Sequence, residues 1–124
     1  MTNRISSAED AISALMKLKA RSVPVRVNIS FPCTGFSFEG LVSVADEFGI
    51  QIWGIGADHS PSAGWFRIAP LSFFGFTGEL NEGESAISFH LCAFKKGAFN
   101  NLDIPRIELR AEWPRISEYP DKLN

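Results

Sequence analysis

The chain has 124 residues, of which 45% are hydrophobic and 21% charged, with two cysteines and a net charge of −2. That length suits one domain over residues 1–124 with a core of its own, and the composition excludes a disordered tail. Cys33 and Cys92 are too few for a secreted disulfide scaffold, and no apolar run approaches the roughly 18 residues of a membrane-spanning helix.

Residues 6–20 read as a helix. Ser6 or Ser7 caps it, Glu9 and Asp10 lie in its first turn, and Lys17 and Lys19 lie near its end, all favourable to the helix dipole. Ile12, Leu15, Met16 and the stem of Lys19 share one face at spacings of three and four, and that face is expected inward, with Met16 as core filler. The period then changes to two. Val23, Val25, Val27, Ile29 and Phe31 alternate with smaller or polar residues as a half-buried strand, with Pro24 at its start. A turn at 32–35 leads to a second strand over 36–45, which Gly40 interrupts as a bend or a close backbone approach would. Asp46–Gly49 is a tight turn before a third strand at 50–54.

Residues 54–64 are rich in turn formers, a fourth strand covers 65–68, and a fifth covers 71–77 with the sticky row Phe73, Phe74 and Phe76. An acidic turn is expected at 78–84. Residues 86–94 alternate again, with Ile87, Phe89 and Leu91 on one face and Ser88, His90 and Cys92 on the other. After a turn at 95–98, a last strand over 102–113 points Ile107, Leu109, Ala111 and Trp113 inward, and 114–124 form a loosely held tail. One helix followed by about seven short strands, without alternation of strand and helix, predicts an all-β domain rather than a parallel sheet.

The segment 23–52 resembles the first signature of the Sm-like (LSm) family, which includes the bacterial Sm-type RNA chaperone. Gly35 stands at the family's turn glycine, Gly40 inside the bent strand and Asp46 at the end of the hairpin, and the preceding helix also matches. Physically, Gly35 supplies a backbone conformation closed to other residues, Gly40 lets a long strand bend, and Asp46 accepts hydrogen bonds from its own turn. Phe66-Arg67-Ile68-Ala69-Pro70-Leu71-Ser72 is similar to the bacterial Tyr-Lys-His-Ala-Ile-Ser run. Ile68 replaces its histidine, Pro70 is inserted, and Gly49 stands where the family carries an asparagine. The resemblance covers 6–78 and implies a small Sm-like, SH3-like antiparallel barrel over 23–78, with an appended pair of strands over 84–113. It also implies a non-enzymatic module that forms homo-oligomeric rings, pairing the fourth strand of one subunit with the fifth of the next, and that binds RNA. The residues this points to are Phe48, to stack on a base, Phe66, to pack beside it, and Arg67, to meet base or phosphate.

Charge bears on that reading. Residues 1–30 carry +3, residues 31–94 carry −6 and residues 95–124 carry +1. Phosphate neutralisation needs a basic stripe, so RNA contact falls to a local patch or to the basic N-terminal segment, and no DNA partner is expected. Two alternatives stand beside it. One is a structural or protein-interaction module that keeps the barrel without RNA binding. The other is a small-ligand barrel, such as a cyclic-dinucleotide receptor, for which Arg21 and Arg26 are the cationic entry.

No nucleophile, base and electrophile come together in the string, so no catalytic residue and no enzyme are expected. Asp58-His59-Ser60 reads as a polar loop, and Gly54-Ile55-Gly56 is followed by no helix that would make it a dinucleotide loop. His90, Cys92 and Cys33 lack zinc-site spacing, so neither metal nor cofactor is expected. Trp53, Trp65 and Trp113, with the eleven phenylalanines, offer stacking platforms for bases, but such aromatics are more often core, and Phe48 is the best exposed candidate among them. The first residues lack a signal-peptide stretch, so a cytoplasmic location is the default, with no membrane partner.

Overall fold

The computed structural model describes residues 2–30, 34–56, 61–69, 71, 74–95 and 106–114. It is mostly antiparallel sheet with one helix near the N-terminus. In chain order the elements are β1 (Thr2–Ile5), α1 (Ala8–Ala20), β2 (Val25–Ser30), β3 (Gly35–Asp46), β4 (Gly49–Ile55), β5 (Pro61–Ile68), β6 (Phe74–Glu82), β7 (Ile87–Lys95) and β8 (Arg106–Trp113). All eight strands belong to one sheet in the order β1-β6-β7-β8-β2-β3-β4-β5. The sheet is not closed: β1 and β5 are its two edges. The expected barrel is therefore an open sheet, because the last strands in sequence insert between β6 and β2. β7 and β8, expected as an appendage, are the middle of the architecture.

Ser7 caps α1 in an extended conformation, and its hydroxyl accepts from the Asp10 amide at 3.2 Å. The Asp10 carboxylate accepts from the Ser6 amide at 3.0 Å, and this bond, ahead of its other contacts, holds the carboxyl below the usual carboxylate range. Ala11, Ala14, Leu15 and Leu18 are the buried residues of the helix. The inward face is thus turned from the expected one: Ile12 is only half-buried, Met16 is 44% exposed and Lys19 is exposed. The two alanines explain the turn, since their small side chains let the helix lie close to the sheet.

α1 touches β3, β6 and β1. In the sheet, β7, β8 and β2 lie between β6 and β3. One helix reaches both only because the sheet curls around it. The helix fills the opening that a closed barrel would not have. Its C-terminal turn is tied down by Lys17 and Arg21, whose side chains lie 3.6 and 3.7 Å from the two carboxylate oxygens of Glu82. Arg21 also donates to the Gly83 carbonyl at 3.3 Å.

Alternation dictates the rest. Val25, Val27 and Ile29 of β2, Ile87, Phe89, Leu91 and Ala93 of β7, and Ile107, Leu109 and Ala111 of β8 all face the core, as period two predicts. A register row crosses the sheet from Ile5 through Gly78, Leu91, Leu109 and Val27 to Phe38. No polar or charged side chain is buried among the described residues. Trp113, expected inward, is half exposed at the end of β8.

Some boundaries differ from expectation. β1 was not anticipated; it pairs with β6 from Thr2↔Asn81 to Ile5↔Gly78, and the Thr2 hydroxyl bonds the Asn81 side-chain oxygen. The fifth predicted strand begins later and runs on through the expected acidic turn to Glu82, and the chain reverses at 83–86, where the Gly83 amide donates to the Ala86 carbonyl at 2.8 Å. Phe76 of the sticky row is buried and Phe74 half-buried, while Phe73 lies outside the described residues. Strand β3 carries a register shift between Val42 and Val44, a bulge that bends it beyond Gly40.

Candidate functional site

The described residues place the best-exposed aromatic and an arginine side by side. In the turn from β3 to β4, Asp46 Oδ1 accepts from the amides of Phe48 at 2.9 Å and Gly49 at 3.2 Å. This is the expected role of Asp46, and it holds Phe48 outward at 69% exposure. Arg67, on the neighbouring β5, donates from Nη2 to the Phe48 carbonyl at 3.5 Å. Gly49 makes room for that side chain, since a Cβ there would lie 3.0 Å from Arg67 Nε and 3.1 Å from the Ile68 carbonyl.

Phe66 is not part of this cluster. Alternation puts it on the same face as buried Ile68, where it packs against the core and meets the ring of Phe38 edge-on at 6.0 Å. Gly35 opens β3 outside the left-handed region, so conformational freedom is not what it supplies. A Cβ there would stand 2.9 Å from the Ile29 carbonyl, so the position needs a small residue for a close approach of strands. At Gly40 the backbone of the neighbouring β4 comes close, as one of its two expected parts requires: a Cβ there would meet the Trp53 carbonyl.

The outer face of the sheet divides in two. Across β1, β6, β7, β8, β2 and β3 one row reads Arg4, Glu79, His90, Arg110, Arg26, Glu39. Alternating and mixed charge of this kind marks a solvated surface. Toward the other end, the row Leu41–Trp53–Trp65 crosses β3, β4 and β5 and stops at the free edge. Trp53 is 48% and Trp65 57% exposed. The next row, Val44–Gln51–Arg67, joins these side chains to the Phe48 turn. Sequence reasoning placed both tryptophans in the core. The signal that finds them is parity: Ile50 and Ile52 face in, so Gln51 and Trp53 face out, and the same step on β5 turns Trp65 and Arg67 out.

The other candidates gather less. His90 and Cys92 share the outer face as their spacing implies. The Arg106 guanidinium is held above its ordinary value, chiefly by the neighbouring Cys92 side chain, with Glu108 adding to the effect. Cys33 and Asp58-His59-Ser60 lie outside the described residues. No group of three metal-ligating side chains converges among the described residues. Arg21, one half of the cationic entry, is engaged by Glu82 and Gly83, and Arg26 lies in the mixed-charge row. A cleft of about 430 Å³ at the ends of β6, β7 and β8 is lined by Asn81, Glu82, Ile87, Ser88, Glu112 and Trp113. Its acids suit no phosphate ligand.

No family model, no curated protein and no solved structure matches this chain. No helix among the described residues is long and apolar enough to cross a membrane.

Proposed function

We propose that this chain is a non-enzymatic, Sm-like module of the cytoplasm that works by holding a macromolecular partner on the outer face of β3, β4 and β5. One observation carries the reading. The cross-strand row Leu41–Trp53–Trp65 leaves two half-exposed tryptophans beside an unpaired strand edge, while the rest of that face is laced with charge. Large apolar side chains gathered on an edge, with polar neighbours around them, are the usual mark of an interaction surface. The segment that the family resemblance assigns to ring pairing, β6, is bonded by β7 along its length and by β1 over Gly78–Asn81. Among the described residues, that leaves β5 as the long free edge.

The test is a titration of bis-ANS, a dye that reports exposed apolar surface, at nanomolar chain. The wild type is expected to bind dye, and a Trp53→Ser/Trp65→Ser double variant with unchanged circular dichroism is expected to lose it. Equal dye binding by the two folded proteins would remove the reading.

RNA is the second reading, and the Phe48–Arg67 contact favours it. An outward ring, on a residue whose carbonyl accepts from a guanidinium, offers one base a stacking surface with a hydrogen-bond donor close by. Uridine- or adenosine-rich oligomers should then raise fluorescence anisotropy at low salt, with Arg67→Ala weakening binding about tenfold or more. Absence of binding at low salt ends this reading and leaves the first untouched.

A further inference from the structure

We propose that the partner on the outer face of β3, β4 and β5 is a second copy of this chain, packed face to face about a twofold axis that crosses the Leu41–Trp53–Trp65 row. The inference rests on the binding-face reading and names its occupant.

Area is the first argument. Trp53 and Trp65 are 48% and 57% exposed, Leu41 and Val44 37% and 40%, and Phe48 at the margin 69%. With about 150–250 Å² per aromatic side chain, these five residues offer roughly 500 Å² of apolar surface. Two copies together then cover about 1,000 Å², the size a biological interface has to reach and below that of the standard specific interface. A face of that size needs no larger partner to be covered, and its own twin is the one surface certain to match it in extent.

Charge is the second argument. The described side chains at the centre of the patch carry no ionisable group, and Arg67 stands at its edge, where it stays in contact with water and with the Phe48 carbonyl. Two copies therefore meet without burying a charge. The mixed-charge row from Arg4 to Glu39 bounds the contact on the other side. It confines the overlap to β3, β4 and β5.

Geometry is the third. Sheets that pack face to face lie about 10 Å apart with their large side chains interdigitated, and a twofold axis through the row sets Trp53 and Trp65 of one copy among those of the other. The contact is isologous and closes at two chains. The second edge, β1, is four residues long and carries Arg4, which protects it from further strand addition.

Light scattering and sedimentation equilibrium on the full chain, from nanomolar to near-millimolar concentration, test the proposal. The expected result is a reversible monomer–dimer equilibrium at micromolar chain, with the dimer weakened about thirtyfold or more in Trp53→Ser/Trp65→Ser. Trp65→Lys is the second variant. It changes one exposed residue and sets two like charges near the axis, so it too should give monomers, with native circular dichroism. A monomer at every concentration overturns the dimer; if that monomer still binds bis-ANS through the tryptophans, the binding-face reading survives it. A dimer that both variants leave intact overturns the proposal as well, and so does a closed mass of five to seven chains, which would return the assembly to a ring.

Discussion

Replacing Gly40 by alanine is expected to lower stability by about 3 kcal/mol or more, at the upper end of what overpacking costs. A Cβ built there runs into the Trp53 carbonyl oxygen and lies 2.8 Å from its carbon and 2.7 Å from Ile52 Cγ2. Two of these three are backbone atoms of the next strand and cannot swing aside. Gly40 pairs with Gly54 across the ladder and with Val25 on the other side, so β3 is held from both flanks at this point. Relief requires β3 and β4 to separate locally, which breaks ladder bonds next to the bulge. Thermal unfolding checks it, with a fall in midpoint of roughly 10 °C for a domain of this size. Gly83→Ala is the control: its Cβ would meet only the Ala86 carbonyl at 3.4 Å, ordinary contact, so its midpoint should move little. Equal loss in the two variants would mean that the close approach of β4 is not what calls for glycine at position 40.

Truncating Leu109 to alanine should cost roughly 4 kcal/mol, in the upper half of the range for buried leucines. Leu109 is fully buried and stands between Val27 of β2 and Leu91 of β7 in the central row. Both neighbours sit on strands that are themselves hydrogen-bonded on either side, so the walls of the cavity have little freedom to collapse into it. Urea unfolding reads the effect as a lower midpoint with an unchanged slope. A loss below about 2 kcal/mol would show that the site relaxes around the truncated side chain.

Much of this was legible in the residues. Period-two runs placed β2, β3, β4, β7 and β8, and Ser7 with Glu9 and Asp10 marked the start of α1. Local chemistry, namely a cap, an alternation or a turn aspartate, reaches only a few residues along the chain, and so it can be read there. The buried face of α1 was harder, because Ala11 and Ala14 weigh little in a hydrophobic pattern yet are what permit close approach. β1 has one buried residue, Ile5, in four, too short a run to show a period. The place of β7 and β8 in the middle of the sheet depends on β8 pairing with β2, a long-range partnership that no window of local sequence contains. At the candidate face, Asp46, Phe48 and Arg67 were found from the turn and its neighbour. Trp53 and Trp65 were missed because side-chain size was taken as a sign of burial, although strand parity turns them outward. Phe66 shows the same rule from the other side: parity with Ile68 turns it in.

The order of strands has a kinetic consequence. β2 to β5 form one meander and β6 to β8 another, each built from neighbours in sequence. They meet along a single seam, β2 against β8, where Val27 faces Leu109, and β1 must find β6 across a similar span. Closing loops of that length costs entropy before any contact rewards it, so the zipping of this seam, rather than the formation of either meander, is expected to limit the folding rate. Until it closes, β2 and β8 each show an unpaired apolar strand to the solvent. The chain is then most prone to pair with a neighbour's strand in place of its own, and dilute, slow refolding should favour the native sheet.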